Sequence, residues 1–299
     1  MFNFIKLQFL NDAQCKKNIM GAAASVDDSV TVDCEIAKVL NMSDGNLAKA
    51  ANNLNRDINR IIPKTPGGNL DATSIKDEER ESVYEVLDSA KRLAEYGYNM
   101  SWGYYKKTID DKSLSRTDKF LLETKKLADD FPDVQPPPRC DLPDGASIEQ
   151  LASLAYFKGD KLLKPLEIII QEAGGEYKRG PRKKERRIKE KMEEYDGDFA
   201  RVVDLERATG VFDSVDDMSQ AISLLRNASH RGEITIRRCK DRFGNPCSNG
   251  YRDVQMNIEL DGFIGELQLN LRKIIDVKKE AHIVYEVERV LKNDRKENN

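Results

Sequence analysis

Two acidic residues in the C-terminal half, Asp204 in ARVVDL and Glu266 in FIGELQLNL, stand in segments of extended character. Two carboxylates on neighbouring strands are the smallest apparatus that holds Mg²⁺ together with nucleotide phosphates, because the ion takes the rest of its shell from phosphate oxygens and water. Upstream, YKRGPRKKERRIKEKM over 177–192 is dense in Lys and Arg, and such charge suits triphosphate oxygens. The same density also fits a solvated helix face or a nucleic-acid patch, so at this level three readings of the segment stand.

The acids need a frame, and the clearest one is SNGYRDVQMNIELDGFIGELQLNL, residues 248–271. Alternation on both sides of Asp261-Gly262 predicts a β-hairpin closed by a two-residue turn. Counting outward from Leu260 opposite Phe263 sets Asn257 against Glu266, Gln255 against Gln268 and Asp253 against Asn270 on one face. The other face pairs Ile258 with Gly265, Met256 with Leu267 and Val254 with Leu269, which makes it the core face. A polar sheet face often does no more than meet water. Here it gathers short, directional Asn, Gln and Asp around one Glu, a composition suited to holding a ligand or metal. Gly250 lets backbone approach such a ligand closely while Tyr251 presents a ring.

Further elements follow from period and capping. Residues 184–194 and 215–227 read as helices, the second behind Ser214, whereas FARVVDL (199–205) and EITIRR (233–238) read as extended. Ser147 and Gln150 have capping-box spacing, so a helix is expected from there to about Glu172, ended by Gly174-Gly175. A long helix over about 272–292 closes the chain. The first 131 residues read as helices over 34–41, 46–61, 73–97 and 114–130; in the third, Val83, Val86, Leu87, Ala90 and Leu93 form an amphipathic stripe. Trp102 and its neighbouring tyrosines fit core or interface. Between the halves FPDVQPPPRCDLPDGAS (131–147) carries five prolines, which remove donors and forbid helix, so it reads as the domain boundary. The expected architecture is α+β: a helical N-terminal domain over 1–131, a Pro-rich linker over 132–147, and a mixed sheet domain over 148–299.

Composition sets outer limits. The 299 residues are 39% hydrophobic and 34% charged with a net charge of −3, enough for globular cores and without a global bias toward nucleic acid or membrane. No apolar run reaches the roughly 20 residues of a membrane span. Cys15, Cys34, Cys140, Cys239 and Cys247 form no CxxC pair and have two histidines for company, so a reduced, cytoplasmic setting is expected rather than a zinc site or a disulfide framework. Met20-Gly21-Ala22-Ala23-Ala24-Ser25 fits the N-myristoylation pattern and implies a membrane anchor if translation starts at Met20; the alternative is a small-residue loop.

The order of parts in the second half resembles the RelA/SpoT alarmone (ppGpp) synthetase domain over about residues 175–290. The resemblance is carried by the basic stretch Gly180 to Lys191, Asp204-Leu205, Arg238-Cys239-Lys240-Asp241, Gly250-Tyr251, Glu266-Leu267-Gln268 and Ala281-His282. It implies a nucleotidyltransferase-like mixed sheet flanked by helices, and transfer of pyrophosphate from ATP to the 3′-hydroxyl of GDP or GTP with Mg²⁺. Carried over, it makes Asp204 and Glu266 the metal-associated carboxylates, with Glu266 also activating the attacking hydroxyl. Tyr251 becomes the residue stacking on the acceptor base. Arg182, Lys183 and Lys184 become the ATP-binding segment, with Arg238 and Lys240 near the nucleotides and Gln268 beside Glu266. His282 matches a position in the last helix.

The chain also departs from the pattern. It has Asp253 and Gln255 where the family continues with Ser and His, Asn270 where an Arg follows E-x-Q, and Glu206-Arg207 after Asp-Leu. With His230 and His282 its only histidines, no His-Asp hydrolase site is expected. Three functions therefore stand at this level: the pyrophosphokinase, a catalytically inactive relative binding nucleotide or a protein or RNA partner, and a different nucleotidyltransferase. The oligomeric state and the role of the N-terminal helices are undetermined by the sequence.

Overall fold

A computed structural model describes residues 47–62, 75, 77–106, 116–183, 185–279, 281 and 287. The predictions for 34–41 and Met20, together with Lys184 and His282, lie outside the described residues. The chain divides into two compact units, Met1–Gly103 with Asp276–Asn299, and Tyr104–Ile275.

In the first unit the described elements are helical: α1 (Leu47–Ile61) and the greater part of α2 (Asp77–Lys106). Four residues of the predicted stripe, Val83, Leu87, Ala90 and Leu93, are buried, and Val86 packs beside them. Val83, Leu87 and Ala90 meet Ile58, Ile62, Ile75 and Val287, while Leu93 joins Ala50 and Tyr96. Trp102 is buried.

The second unit holds α3 (Arg116–Asp130), α4 (Ile148–Glu172), β1 (Glu176–Arg179), α5 (Glu185–Glu193), a 3₁₀ turn (Phe199–Arg201), β2 (Arg207–Phe212), α6 (Val215–His230), β3 (Thr235–Asp241), β4 (Val254–Leu260) and β5 (Phe263–Leu271). The fold is α+β, and the five strands form one mixed sheet in the order β1-β2-β5-β4-β3. β2 and β5 run parallel while every other neighbouring pair is antiparallel.

Local chemistry explains the boundaries. Ser147 accepts from the Gln150 backbone while Gln150 returns a bond to the Ser147 N–H, the capping box that starts α4, and Ser214 accepts from the Asp217 N–H to start α6. Asp261 and Gly262 both have positive φ, +52° and +78°, as a twist-matched two-residue turn requires. Its consequence is the register predicted from the pattern, with Asn257 opposite Glu266, Gln255 opposite Gln268 and Met256 opposite Leu267.

α4 and α6 pack on the sheet, and α3 packs on α6 and β3. The approach is close: a Cβ at Gly265 would stand 2.7 Å from the Leu162 side chain, and one at Gly210 would stand 2.7 Å from Ile170. Glycine at these positions lets α4 sit down on the apolar face formed by Val254, Met256, Ile258, Leu267 and Leu269.

Two sequence expectations change. Residues 199–205 do not form a strand, because Asp198 caps the 3₁₀ turn through the Ala200 N–H and the chain then turns, so that β2 begins only at Arg207. The Pro-rich segment is not where the units divide; it lies within the second unit, with α3. Its backbone is anchored there, Cys239 N–H bonding Phe131 O (2.7 Å), Cys140 N–H bonding Ala200 O (2.8 Å) and Asp141 N–H bonding Gly262 O (2.7 Å). Prolines forbid helix in this segment, but its remaining donors still find the sheet unit. β1 is an addition: EYKR has three charged residues around Tyr177 and lies at the sheet edge beside β2.

Candidate functional site

The polar face is organised in rows across the strands. One row runs Arg238 (β3), Asn257 (β4), Glu266 (β5), Arg207 (β2), and the next runs Lys240, Gln255, Gln268, Thr209, Lys178. Because residues in register share a face, a single cross-strand alignment brings cations to both sides of the Glu266 carboxylate.

Glu266 is 7% exposed. Its two oxygens accept from the side-chain amides of Gln255 and Gln268, the latter at 2.9 Å. Burial, followed by the negative charge of Asp204, raises its affinity for a proton above that of an ordinary glutamate, and the hydrogen bond from Gln255 works against the rise. Asp204, also 7% exposed, is thus electrostatically coupled to Glu266 although it sits three residues ahead of β2 rather than at a strand end.

Asp204 Oδ2 takes salt bridges from Lys183 and, at 2.7 Å, Lys191. Burial opposes its charge, yet the attraction of Lys191 and Lys183 prevails and holds the carboxyl below its usual range. The two lysines part in response: burial pulls the Lys183 ammonium down, while for Lys191 the attraction of Asp204 outweighs burial and pushes it up. Asp204 Oδ1 is buried without a partner. An unpaired anionic oxygen is costly in protein and fits a cation, so the donor set here suits a hard ion with oxygen ligands. Among the described residues no group of three or more His, Cys, Asp or Glu converges on one point.

The basic segment is delivered to this place by its backbone. Gly180 N–H bonds Arg207 O at 2.7 Å and Lys183 N–H bonds Leu205 O at 3.4 Å, so residues 180–183 run beside 205–207. Lys183 reaches Asp204; Arg182 instead pairs with Glu206, which is 1% exposed and also takes Arg179 at 2.9 Å. Lys191 comes from α5.

The remaining predicted residues fall as follows. Arg238 is buried, donating from Nε to Asn257 Oδ1 (2.9 Å) and from a terminal nitrogen to Val134 O (3.3 Å). Lys240 faces Asp133 at 3.5 Å and stays partly exposed. Tyr251 is 9% exposed, and its hydroxyl lies 2.9 Å from both Asp253 Oδ2 and Asn270 Oδ1. Arg242 donates to Asp253 Oδ1 (2.8 Å) and Gln255 Oε1 (2.6 Å). Asp253, Gln255 and Asn270, the three departures along the hairpin, are therefore joined through Tyr251 and Arg242 into one hydrogen-bonded cluster that ends on Glu266.

Several residues of the site had little or no sequence signal of their own. Glu206 beside Arg207 looks like an ordinary solvated pair, and Arg242 like a loop charge. Lys191 fell inside the basic run but was not distinguished from its neighbours. Only Glu206, standing where the pattern has a small residue, carried a local hint.

No family model matches the chain, and no curated protein matches it. Among solved structures the chain is similar to the complex of the type VI effector Tas1 with its immunity protein, at 21% identity over 50% of this chain and 77% of that one, TM-score 0.37. It is also similar to small alarmone synthetase 1 from Bacillus subtilis bound to its product pppGpp (12% identity, 49% of this chain, 92% of that one, TM-score 0.31). A third is a GTP pyrophosphokinase family protein from Streptococcus pneumoniae (17% identity, 50% and 96%, TM-score 0.33).

Proposed function

We propose that the polar face binds ATP and an acceptor nucleotide and that the chain transfers pyrophosphate from ATP to the acceptor's 3′-hydroxyl, a guanosine nucleotide being the first acceptor to try. The observation that carries this is Glu266: a buried carboxyl with raised proton affinity, aligned with Arg207 and coupled to Asp204. A base with raised proton affinity takes the proton of an attacking hydroxyl more readily than an ordinary glutamate does. The oxygen then bonds to the β-phosphorus of ATP as the bond to the bridging α,β-oxygen breaks, and AMP departs with that oxygen. Lys183 and Lys191 neutralise phosphate charge, and Arg182 and Arg207 extend the positive rim. Asp204 through Oδ1, with Glu266, would hold Mg²⁺, which when bound supplies Lewis-acid charge to the phosphate oxygens.

The test is γ-labelled ATP with Mg²⁺ and GDP, GTP, ADP, AMP or a tRNA as acceptor. Label is expected in an acceptor product, and Glu266→Gln is expected to lower turnover about 10²- to 10⁴-fold. No product with any acceptor would sink the transfer reading.

One observation favours a second reading, an inactive nucleotide-binding module: the charges of Asp204 and Glu206 are already matched by lysines and arginines within the chain. It predicts ATP binding without turnover, unchanged in Glu266→Gln. A transferase of other nucleotidyl chemistry is separated from the first by the mass of the labelled product. Cytoplasmic placement goes with these readings. No described helix is long and apolar enough to cross a membrane.

A further inference from the structure

Asn257 is 2% exposed and its side-chain amide cannot turn over: Oδ1 accepts from Arg238 Nε at 2.9 Å, and a flipped amide would set one donor against another. The fixed amide leaves Nδ2 buried without a partner. An unmet buried donor has a cost that a bound acceptor removes. In the row Arg238, Asn257, Glu266 the amide oxygen is taken by Arg238 of β3, and Glu266 of β5 stands directly across the ladder from Asn257. Residues paired in this way have Cβ atoms about 4.5–5.5 Å apart. Their side chains can therefore touch the same ligand, Glu266 as acceptor and the Asn257 amide as donor.

The chemistry of the two groups selects which oxygens: Glu266 accepts and the neutral amide donates, and a vicinal pair of hydroxyls answers both, one giving its proton to the carboxylate and the other accepting from the amide. We propose that Asn257 donates to the hydroxyl adjacent to the one facing Glu266, so that the site selects a nucleotide with an intact ribose cis-diol over its 2′-deoxy counterpart. This rests on the reading that an acceptor's 3′-hydroxyl faces Glu266. Arg238 is then a positioning residue that sets the amide for its ligand.

The experiment is calorimetric titration of the full chain, with Mg²⁺ present, by GDP, ADP and the 2′-deoxy forms of each. Wild type is expected to bind at least one ribonucleotide about five- to tenfold tighter than its deoxy form, the size of one hydrogen bond to a neutral partner. Asn257→Asp keeps an oxygen for Arg238 and removes the donor, and Asn257→Leu removes both; each is expected to bind ribo and deoxy forms alike, with folding checked by thermal melting. Equal binding of the two forms by wild type, discrimination persisting in Asn257→Asp, or no binding of any of the four nucleotides overturns the proposal. Discrimination in a wild type that never turns over supports the subsite and removes the transfer reading alone.

Discussion

At the scale of single residues, burial decides what a group does more than its type. Asp204 and Glu266 are equally exposed, yet one is held charged by two lysines and the other is pushed toward its protonated form by burial and the first acid. Chemistry of the acid–base kind depends on such a split between neighbours. Cys140 shows the opposite use of burial. Its sulfur sits against the backbone of Ile264, and burial raises its pKa from an ordinary 9.0 to about 11 despite a hydrogen bond that lowers it. A thiol of this kind is a packing group, so Cys140 is expected to resist iodoacetamide in the folded chain at pH 8 and to react once the chain is unfolded, as mass spectrometry of the peptides would show. The linkage has a definite sign. A group whose folded pKa is raised stabilises the fold below its unfolded value, and that contribution disappears as pH climbs through the folded one. Melting temperature should therefore decline between pH 9 and 11, less steeply in Cys140→Ala; an identical slope in the variant would contradict the assignment. Asp204 and Glu266 themselves are visible in the sequence as acids in extended surroundings, and the hairpin pattern already gathers Gln255 and Gln268 on the face of Glu266. The lysines that hold Asp204 charged stand 13 and 21 positions away, and no local pattern encodes that.

At the scale of elements, the legible parts were those whose determinants are neighbours in sequence. The β4–β5 hairpin follows from a period of two and an Asp-Gly turn, and the start and end of α4 follow from Ser147, Gln150 and Gly174. β1 escaped because EYKR offers Tyr177 alone among three charged residues, its pairing with β2 being a tertiary fact. Val202-Val203 misled in the other direction: both are buried as strand residues would be, yet Asp198 had already turned the backbone. The seating of α4 on the sheet gives a quantitative expectation. Gly265 faces Leu162 and, at 3.0 Å from where a Cβ would be, the Glu206 carbonyl oxygen. Leucine can rotate away, but the carbonyl belongs to the segment leading into β2 and receives the Glu266 N–H. Gly265→Ala should accordingly cost about 1–3 kcal/mol in urea unfolding and weaken nucleotide binding as well, since the displaced backbone is the one carrying Glu206 and Arg207. A fully stable Gly265→Ala would show that the layers are less tightly fitted than described.

At the scale of the whole molecule, the point where the chain divides was the hardest to see, because five prolines in seventeen residues imitate a linker. What they cannot show is that α3, ahead of them, belongs with the sheet behind them. Phe120 and Leu127 of α3 are fully buried, Phe120 meets Phe243 edge-on at 4.9 Å between ring centres, and Thr124 donates to Asp241 at 3.1 Å. Asp241 in turn accepts from the N–H groups of Phe243 and Gly244, which shapes the turn after β3. Losing α3 thus empties two large core positions at once, and each such loss costs about 2–5 kcal/mol, comparable with the whole stability of a domain. Two fragments separate the possibilities. A chain of residues 104–275 is expected to unfold cooperatively, with coincident circular dichroism and fluorescence transitions, whereas residues 132–275, cut at the Pro-rich segment, should show no such transition. If the shorter fragment were equally cooperative and equally stable, α3 would belong to the helical half and the division at Gly103–Tyr104 would be wrong.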